Sequence, residues 1–233
     1  MNLMIDILNF LNFKTNGKKS VLWLSHHIPK TAGTSLKVSY ERTFGSKAIK
    51  QVYAHEEVKR LGDGKSISLP MGTKIIHGHF HAHPEHMLIY PNAKRIVWIR
   101  DPVERAWSML GHMLDVQKTK TEYKIILAEF GNQIEERKLE VFEFFLTHPM
   151  LKKMNQPYKN HFSKVPISEF DFVGRTNKFE HDIQLLSKMM GVKLPTIETN
   201  VRDAGNGLPQ DRKYFEGLLE QEYSIVLPYL VKN

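Results

Sequence analysis

An apolar strand, a glycine-containing loop and an amphipathic helix follow one another directly near the start of the sequence. Residues 21–28 (VLWLSHHI) are short, apolar and bounded by Pro29, which indicates a buried strand. Downstream, Leu36, Tyr40 and Phe44 recur every four residues, which predicts a helix over residues 34–44. A chain built on such a unit is expected to be an α/β protein.

The alternation of strands and helices continues along the chain. Further strands are predicted at residues 74–80, 95–99 and 170–174. Further helices are predicted from the capping sequence Asp101-Pro102-Val103-Glu104, around the apolar stripe Leu139, Phe142, Phe145 and Leu146, and over residues 179–190 and 209–227. This order implies a P-loop-NTPase-like, three-layer α/β/α fold with a central, mostly parallel sheet. In such sheets, ligands bind beyond the carboxyl ends of the strands.

Length and composition limit the classes of protein to consider. The 233 residues, 41% hydrophobic and 25% charged, are expected to form an N-terminal extension, residues 1–20, and a single domain, residues 21–233. The absence of cysteine excludes disulfides, thiolate zinc sites and a cysteine nucleophile. The net charge of +8 (33 basic minus 25 acidic residues) predicts an anionic partner, without distinguishing nucleic acid, phosphorylated cofactor or acidic glycan.

The N-terminal extension has neither the basic start nor the cleavage site of a signal peptide. Its apolar stretch is far short of the ~20 residues that span a membrane, so no stable membrane span is predicted. We expect a short docking helix there, with weak contact to a membrane surface as the alternative, and a cytoplasmic protein.

The loop after the first strand combines several features of an anion-binding site. It contains Pro29, Lys30, Thr31, Ala32, Gly33, Thr34 and Ser35. Backbone N–H groups and the positive end of the helix dipole point at such a loop, while its lysine adds a charge and its hydroxyl groups add donors. It is not a Walker loop, because the lysine precedes the glycine. The alternative is an ordinary strand-to-helix turn with a helix cap.

The segment HHIPKTAGTSL, residues 26–36, closely resembles the 5′-phosphosulfate-binding loop of sulfotransferases that use PAPS (3′-phosphoadenosine 5′-phosphosulfate). It is most similar to carbohydrate sulfotransferases of the heparan sulfate 2-O type and their bacterial relatives. The resemblance implies PAPS as co-substrate, PAP as product and no metal. It also implies that donor binding falls to Lys30, Thr31, Ala32, Gly33, Thr34 and Ser35.

Residues 100–108 (RDPVERAWS) are similar to the 3′-phosphate motif of the same family. There, an arginine at a strand end and a serine eight residues later hold the nucleotide, which implies these roles for Arg100 and Ser108. A guanidinium group suits phosphate because it forms charge-assisted, often bidentate hydrogen bonds. The alternative is a surface ion pair and a solvated serine.

A third and weaker resemblance lies in residues 172–176 (FVGRT). It makes Arg175 a candidate contact to the cofactor, with Thr176 and Arg202 as weaker candidates. The three resemblances together extend over about residues 21–190.

Histidines are concentrated between the two main motifs, in the sequence HGHFHAH at residues 77–83. If the strand continued, its alternate histidines would share one face, which would be a metal-binding pattern. In carbohydrate 2-O-sulfotransferases a similar H-G-H element provides the proposed catalytic base from its second histidine. By position this implies His79 as the base, with His77 as a second candidate. A neutral imidazole with a pKa near ~6.5 suits proton abstraction from a hydroxyl group.

The remaining histidines of this region have weaker predictions. His81, His83 and His86 are expected in loops, with the acceptor side as one option, and His26 and His27 are expected to pack in the first strand.

The motifs together predict an enzyme that moves a sulfuryl group from PAPS to an acceptor hydroxyl, on a saccharide or another small alcohol. Two lysine clusters could form a groove for an anionic glycan, although solvated helix faces are the favoured interpretation: Lys118, Lys120 and Lys124, and Lys152, Lys153, Lys159 and Lys164. The alternatives are a P-loop-type nucleotide kinase, a non-catalytic anion-binding module and a catalytically dead sulfotransferase. Nucleic acid is not expected as a partner, because no aromatic–basic repeat is present. The sequence predicts neither the acceptor nor the oligomeric state.

Overall fold

The structure, a computed structural model, describes residues 18, 20–197 and 209–231. The predicted N-terminal docking helix and Arg202 lie outside the described residues. The chain divides into two compact units. Within the described residues, the first unit comprises residues 18, 20–28, 32–98 and 161–197, and the second comprises residues 29–31, 99–160 and 209–231. A single domain over residues 21–233 stays a prediction.

In the described part of the chain, five strands form one sheet in the order β2-β3-β1-β4-β5. The strands are β1 (Trp23–His26), β2 (Ile49–Val52), β3 (Ile75–Gly78), β4 (Lys94–Ile99) and β5 (Phe172–Arg175). β1 pairs in parallel with both β3 and β4, and β2 pairs in parallel with β3. The carboxyl ends of these four strands therefore lie at the same edge of the sheet.

The helices are numbered in chain order. They are α1 (Gly33–Phe44), α2 (His55–Gly62), α3 (His86–Ile89), α4 (Pro102–Val116), α5 (Thr121–Phe130), α6 (Lys138–Thr147), α7 (Lys152–Asn155), α8 (Pro157–His161), α9 (Phe179–Met190), α10 (Arg212–Leu218) and α11 (Glu220–Leu230). Short 3₁₀ turns at residues 46–48, 131–133, 149–151, 167–169 and 176–178 join several of these elements.

Both faces of the sheet are covered within the first unit. Alternate strand residues such as Trp23 and Ile75 pack with Leu36 of α1 and Ile183 of α9. Their neighbours in sequence point to the other face, because side chains alternate along a strand. There, Leu24 and Ile76 of the sheet and Leu61 of α2 share a second core. This arrangement confirms the predicted three-layer α/β/α fold around a mostly parallel sheet.

The second unit is mainly helical. Its core joins apolar residues of α4, α5, α6 and α10, among them Leu110, Ile126, Phe142 and Phe215. α4 begins as the sequence predicts, with Pro102 in its first turn and the Asp101 carboxylate accepting the N–H of Glu104 at 3.0 Å.

Two strands differ from the sequence prediction. β2 was not predicted, because its central residues are polar: Lys50 forms an ion pair with Glu57 at 2.6 Å. β3 ends at Gly78 and does not continue to residue 80. A Cβ atom at Gly78 would lie 1.9 Å from the carbonyl oxygen of Val52, so the close approach of β2 requires a glycine here.

Two helical predictions also need correction. The single helical segment predicted over residues 209–227 consists of α10 and α11. In the stripe predicted to be buried on α6, Leu139 is exposed, whereas Phe142, Phe145 and Leu146 are buried. In the described part of the chain, no helix combines the length and the apolar character needed to cross a membrane.

Two histidines are core residues of the first unit. His26 on β1 is 2% exposed, and its Nδ1 atom lies 3.0 Å from the carbonyl oxygen of Phe80. His86 is fully buried, with its Nε2 atom 2.9 Å from the carbonyl oxygen of Leu61. The prediction that His26 packs in the first strand is confirmed. The prediction that His86 lies in a loop is wrong, because His86 is a core residue at the start of α3. Burial lowers the pKa of His26 to about 3 and that of His86 to about 4.

These buried histidines predict a loss of stability in mild acid. Both stay neutral in the folded protein but become protonated in the unfolded chain below pH ~6.5, so stability falls as the pH drops from about 6.5 towards 4. Each contributes about 2 kcal/mol to the difference in the free energy of unfolding between pH 7 and pH 5. Urea unfolding at both pH values should show this loss, and His86→Gln should reduce it.

The exposed His55 provides the control. His55→Gln is unfolded in urea at the same two pH values, as a histidine-to-glutamine change at the surface. An equal pH dependence in the wild type and in His86→Gln would contradict the assignment.

Candidate functional site

The loop that connects β1 to α1 has a strained backbone. Lys30 and Ala32 have φ angles of 72° and 64°, in the left-handed region that residues with a Cβ atom rarely adopt. Ala32 precedes α1, and no side chain caps the N-terminus of this helix. Strained backbone of this kind is concentrated at binding sites, where the surrounding structure must hold it in place. The loop therefore has the character of a ligand-binding turn.

The donor-binding residues predicted in this loop differ in exposure. Thr31, Gly33 and Ser35 are buried, Lys30 and Ala32 are partly buried, and Thr34 is exposed. In the first turn of α1, the backbone N–H groups of Gly33 and Thr34 belong to the positive end of the helix dipole. The segment is thus chemically suited to an anion, and the donor-binding roles of its individual residues stay predictions.

His27 occupies the space beside Gly33. A Cβ atom at Gly33 would lie 2.0 Å from the His27 ring, so the missing side chain provides room for the imidazole. The His27 backbone N–H donates to the carbonyl oxygen of Gly78 at 2.8 Å. His27 was predicted to pack in the strand, but it follows the end of β1 and contacts the start of α1. Sequence analysis missed its position in the candidate site.

His79 lies directly after β3 and next to His27. Its backbone N–H donates to the carbonyl oxygen of Val52 at 3.0 Å, which fixes the main chain. The centres of the His79 and His27 rings are 4.6 Å apart, and the rings of His79 and Tyr53 are nearly perpendicular, with their centres 4.8 Å apart. The side chain still reaches the surface, while partial burial lowers its pKa. An exposed imidazole that is neutral at physiological pH can accept a proton from a ligand.

Tyr53 is a second residue of this group that the sequence did not indicate. Its hydroxyl lies 3.3 Å from Nδ1 of His27, and the residue is 41% exposed. Partial burial raises the pKa of Tyr53 to about 12, so the hydroxyl stays protonated. Tyr53 therefore contacts both His27 and His79.

His77 lies behind this group, in the sheet. It is fully buried, its Nδ1 atom is 2.9 Å from the Ser25 hydroxyl, and its ring stacks on His27 with the centres 5.5 Å apart. Burial lowers its pKa to about 4, with the nearby His79 as a smaller contribution. His77 can support the ring of His27 from the buried side, whereas the side chain of His79 is exposed.

The other histidines do not form the metal-binding face that a longer strand would have produced. Because β3 ends at Gly78, His81 is exposed in a loop and its ring packs against buried His161 with the centres 5.1 Å apart. His83 lies in the same loop, as expected. Within the described residues, no group of three or more histidine, cysteine or acidic side chains is arranged to hold a metal ion.

In the second unit, Arg100 follows the end of β4. Its Nε atom donates to Glu104 Oε2 at 3.2 Å, and the side chain is 27% exposed. Ser108 is partly buried on α4, four residues beyond Glu104, so the two residues share a helix face. The roles of Arg100 and Ser108 in nucleotide binding stay predictions.

Asp101, the acidic residue that follows Arg100, is fully engaged in structural contacts. Besides capping α4, its carboxylate accepts hydrogen bonds from Arg212 at 2.6 Å and from Tyr223 at 2.8 Å. The predicted capping role is confirmed.

Arg175, the weaker candidate for cofactor binding, forms a buried ion pair in the first unit. Its Nε and one terminal nitrogen donate to the two carboxylate oxygens of Asp182 at 2.8 and 2.7 Å. This bidentate pair raises the pKa of Arg175, mainly through the hydrogen bonds. The role of Arg175 in nucleotide binding stays a prediction.

A role of the two lysine clusters in acceptor binding stays a prediction from the sequence. Lys118, Lys120 and Lys124 are exposed, as expected for solvated helix faces. Lys159 donates to Gln221 at 2.9 Å, and Lys164 donates to the carbonyl oxygen of Gly62 at 2.8 Å.

Comparison with known proteins gives similarity only at the level of solved structures. No protein-family model matches the sequence, and no curated protein is detectably similar. The structure is similar to a sulfotransferase from Alicyclobacillus acidocaldarius, with 14% identity, a TM-score of 0.47, and coverage of 89% of this chain and 96% of that chain. It is also similar to mouse sulfotransferase SULT7A1 in complex with PAP, with 12% identity, a TM-score of 0.47, and coverage of 88% and 84%. At such values, the function has to be argued from the residues.

The contact between His27 and Gly33 predicts an unusual response to substitution. Gly33→Ala should destabilise the protein, because the new methyl group collides with the His27 ring. In a His27→Ala background the same change should be neutral or stabilising, since alanine is favoured over glycine in a helix by up to ~1 kcal/mol. The four proteins can be compared by urea unfolding. Additive effects of the two substitutions, instead of a coupling of about 1 kcal/mol or more, would contradict the contact.

Proposed function

We propose that the protein is a PAPS-dependent sulfotransferase that transfers a sulfuryl group to an acceptor hydroxyl, with His79 as general base. The observation that carries this proposal is the position of His27, whose ring contacts both Gly33 of the anion-type loop and the exposed His79. A proton acceptor thus lies close to the start of a helix suited to a phosphate group. This combination is what transfer from a phosphate-linked donor to a hydroxyl group requires.

In the proposed mechanism, PAPS supplies the activated sulfuryl group. Backbone N–H groups and hydroxyls of the loop at residues 31–35 bind the 5′-phosphate, and Lys30 neutralises the negative charge that grows on it as the sulfur–oxygen bond breaks. Arg100 and Ser108 bind the 3′-phosphate. His79 takes the proton that the acceptor hydroxyl loses as its oxygen attacks sulfur. His77 is proposed as a buried support behind His27 and not as the base.

The acceptor is proposed to be a saccharide or another small alcohol. The order of His77, Gly78 and His79 supports a carbohydrate 2-O-type enzyme by resemblance, and exposed lysines such as Lys118 and Lys120 would suit an anionic glycan. Transfer to a panel of neutral and anionic saccharides would separate these acceptors from simple alcohols.

A nucleotide kinase is the main competing proposal. Its magnesium ion would need an acidic residue after a core strand, and Asp101 is the candidate by position. Three interactions already occupy this carboxylate: the N–H of Glu104, Arg212 and Tyr223. The structure therefore supports a capping role for Asp101, which favours the sulfotransferase over the kinase.

The donor site can be tested without knowledge of the acceptor. Calorimetric titration should show micromolar binding of PAP in the absence of metal, and binding at least 10-fold weaker for 5′-AMP and for ATP. Arg100→Ala should remove this preference for PAP because it removes the charge that faces the 3′-phosphate. Arg137→Ala, at an exposed arginine paired with Glu140 in the same unit, is the matched control and should bind as the wild type does. Equal binding of ATP and PAP would favour the kinase.

The catalytic assignment predicts a loss of turnover without a loss of folding. With an acceptor identified by the screen, Lys30→Ala and His79→Ala should each lower kcat by about 10²-fold or more, the usual contribution of such groups. Lys47→Ala and His55→Ala, at exposed positions outside the candidate site, are the controls. Because the pKa of His79 is lowered, the rate should fall on the acidic side only below pH ~6.5. Near-normal turnover in His79→Ala would exclude it as the base.

A further inference from the structure

A single tyrosine hydroxyl binds both backbone groups of Arg100. Tyr158, fully buried in the second unit, donates its hydroxyl hydrogen to the carbonyl oxygen of Arg100 at 2.6 Å. The same oxygen accepts the N–H of Arg100 at 2.9 Å. Together the two bonds fix the peptide groups on both sides of one residue. The direction in which the Arg100 side chain leaves the main chain is thereby set.

Tyr158 is held in turn by a buried carboxylate. Glu222 on α11 is 1% exposed and accepts the backbone N–H groups of Tyr158 and Lys159, each at 2.9 Å. Burial raises the pKa of Glu222, while these two hydrogen bonds and the nearby Arg105 lower it. A carboxylate is costly to bury, and here it fixes the start of the segment that carries Tyr158.

Tyr223, which follows Glu222 on α11, binds Asp101, which follows Arg100 in the chain. Tyr223 donates its hydroxyl to Asp101 at 2.8 Å, and Asp101 caps α4. Two consecutive residues of α11 therefore hold Arg100 and Asp101, one through Tyr158 and one directly. The end of β4 and the start of α4 are thus fixed relative to the last helix of the same unit.

The Arg100 side chain is oriented at its Nε atom. Glu104 accepts from Nε, and among the described residues no hydrogen bond occupies the two terminal nitrogens of this guanidinium group. These nitrogens form the fork that binds two oxygens of a phosphate group. With the backbone fixed by Tyr158 and Nε by Glu104, little freedom has to be lost when a phosphate group binds.

From these contacts we infer that Tyr158 and Glu222 are positioning residues that set the selectivity for a 3′-phosphorylated nucleotide by fixing Arg100. The inference rests on the proposed function, because it assumes that Arg100 binds the 3′-phosphate. It adds two residues, distant in sequence from the motif, that determine which nucleotide the protein selects. A purely structural role of Tyr158 would instead change stability and weaken the binding of all nucleotides alike.

The experiment compares the dissociation constants of PAP and 5′-AMP in the wild type and in Tyr158→Phe. The substitution removes only the hydroxyl, so PAP binding should weaken about 10-fold or more while 5′-AMP binding changes less than 3-fold. Tyr90→Phe is the matched control, since Tyr90 is also fully buried but lies in the first unit. It should leave the ratio of the two dissociation constants unchanged.

The outcomes separate the two proposals. If the wild type does not prefer PAP to 5′-AMP, the proposed function itself fails. The positioning role is wrong if the wild type prefers PAP and Tyr158→Phe keeps this preference. It is also wrong if Tyr158→Phe weakens the binding of PAP and of 5′-AMP by the same factor. Glu222→Gln is the second variant should Tyr158→Phe fold poorly. It keeps the shape of the side chain, loses one acceptor oxygen, and should also reduce the preference for PAP, whereas an unchanged ratio would overturn the inference.

Discussion

The tight turn from β1 into α1 is the constraint on which the candidate site depends. Two residues with side chains, Lys30 and Ala32, adopt left-handed backbone conformations that cost about 1–2 kcal/mol each. Gly33 then begins the helix without a side chain, which leaves room for the ring of His27. Because β1 pairs with both β3 and β4, this turn starts from the middle of a rigid sheet. The sheet can therefore hold a strained loop that would relax in a less constrained segment.

Histidine side chains have different environments in the first unit, and the degree of burial distinguishes them. His26 and His77 are buried and have strongly lowered pKa values, so they act as neutral packing and hydrogen-bonding groups. His79 is exposed at the surface with a lowered pKa, which suits a proton acceptor. His27 lies between these environments and links the helix start to His79 through ring contacts. In this histidine-rich region, His79 is thus an exposed imidazole with buried histidines behind it, and its role as the base stays a proposal.

The sequence was sufficient to predict those elements whose structure is determined by a pattern of a few neighbouring residues. β4 and the cap of α4 follow from a β-branched run and from Asp101-Pro102, both signals within a few residues. β2 could not be predicted, because its polar residues are satisfied by partners on other elements, such as Gln51 bound to Glu41 at 2.9 Å. The end of β3 depends on the approach of Val52 to Gly78, which is also a contact between distant residues. The candidate site residues that came from motifs were visible in the sequence, and their roles stay predictions, whereas the positions of His27 and Tyr53 became clear only from the fold.

The buried carboxylate of Glu222 in the second unit is explained better by the positioning of Arg100 than by a gain in stability. An apolar side chain at position 222 would avoid the cost of burying a carboxylate, and such replacements are often neutral or stabilising. Glu222 nevertheless accepts two successive backbone N–H groups, and the tyrosine that it fixes binds both backbone groups of Arg100. Apolar packing cannot reproduce these directional bonds, because it does not distinguish small rotations of a peptide group. The free-energy cost of burying Glu222 is thus explained if the orientation of the Arg100 guanidinium group matters more than the stability of α11.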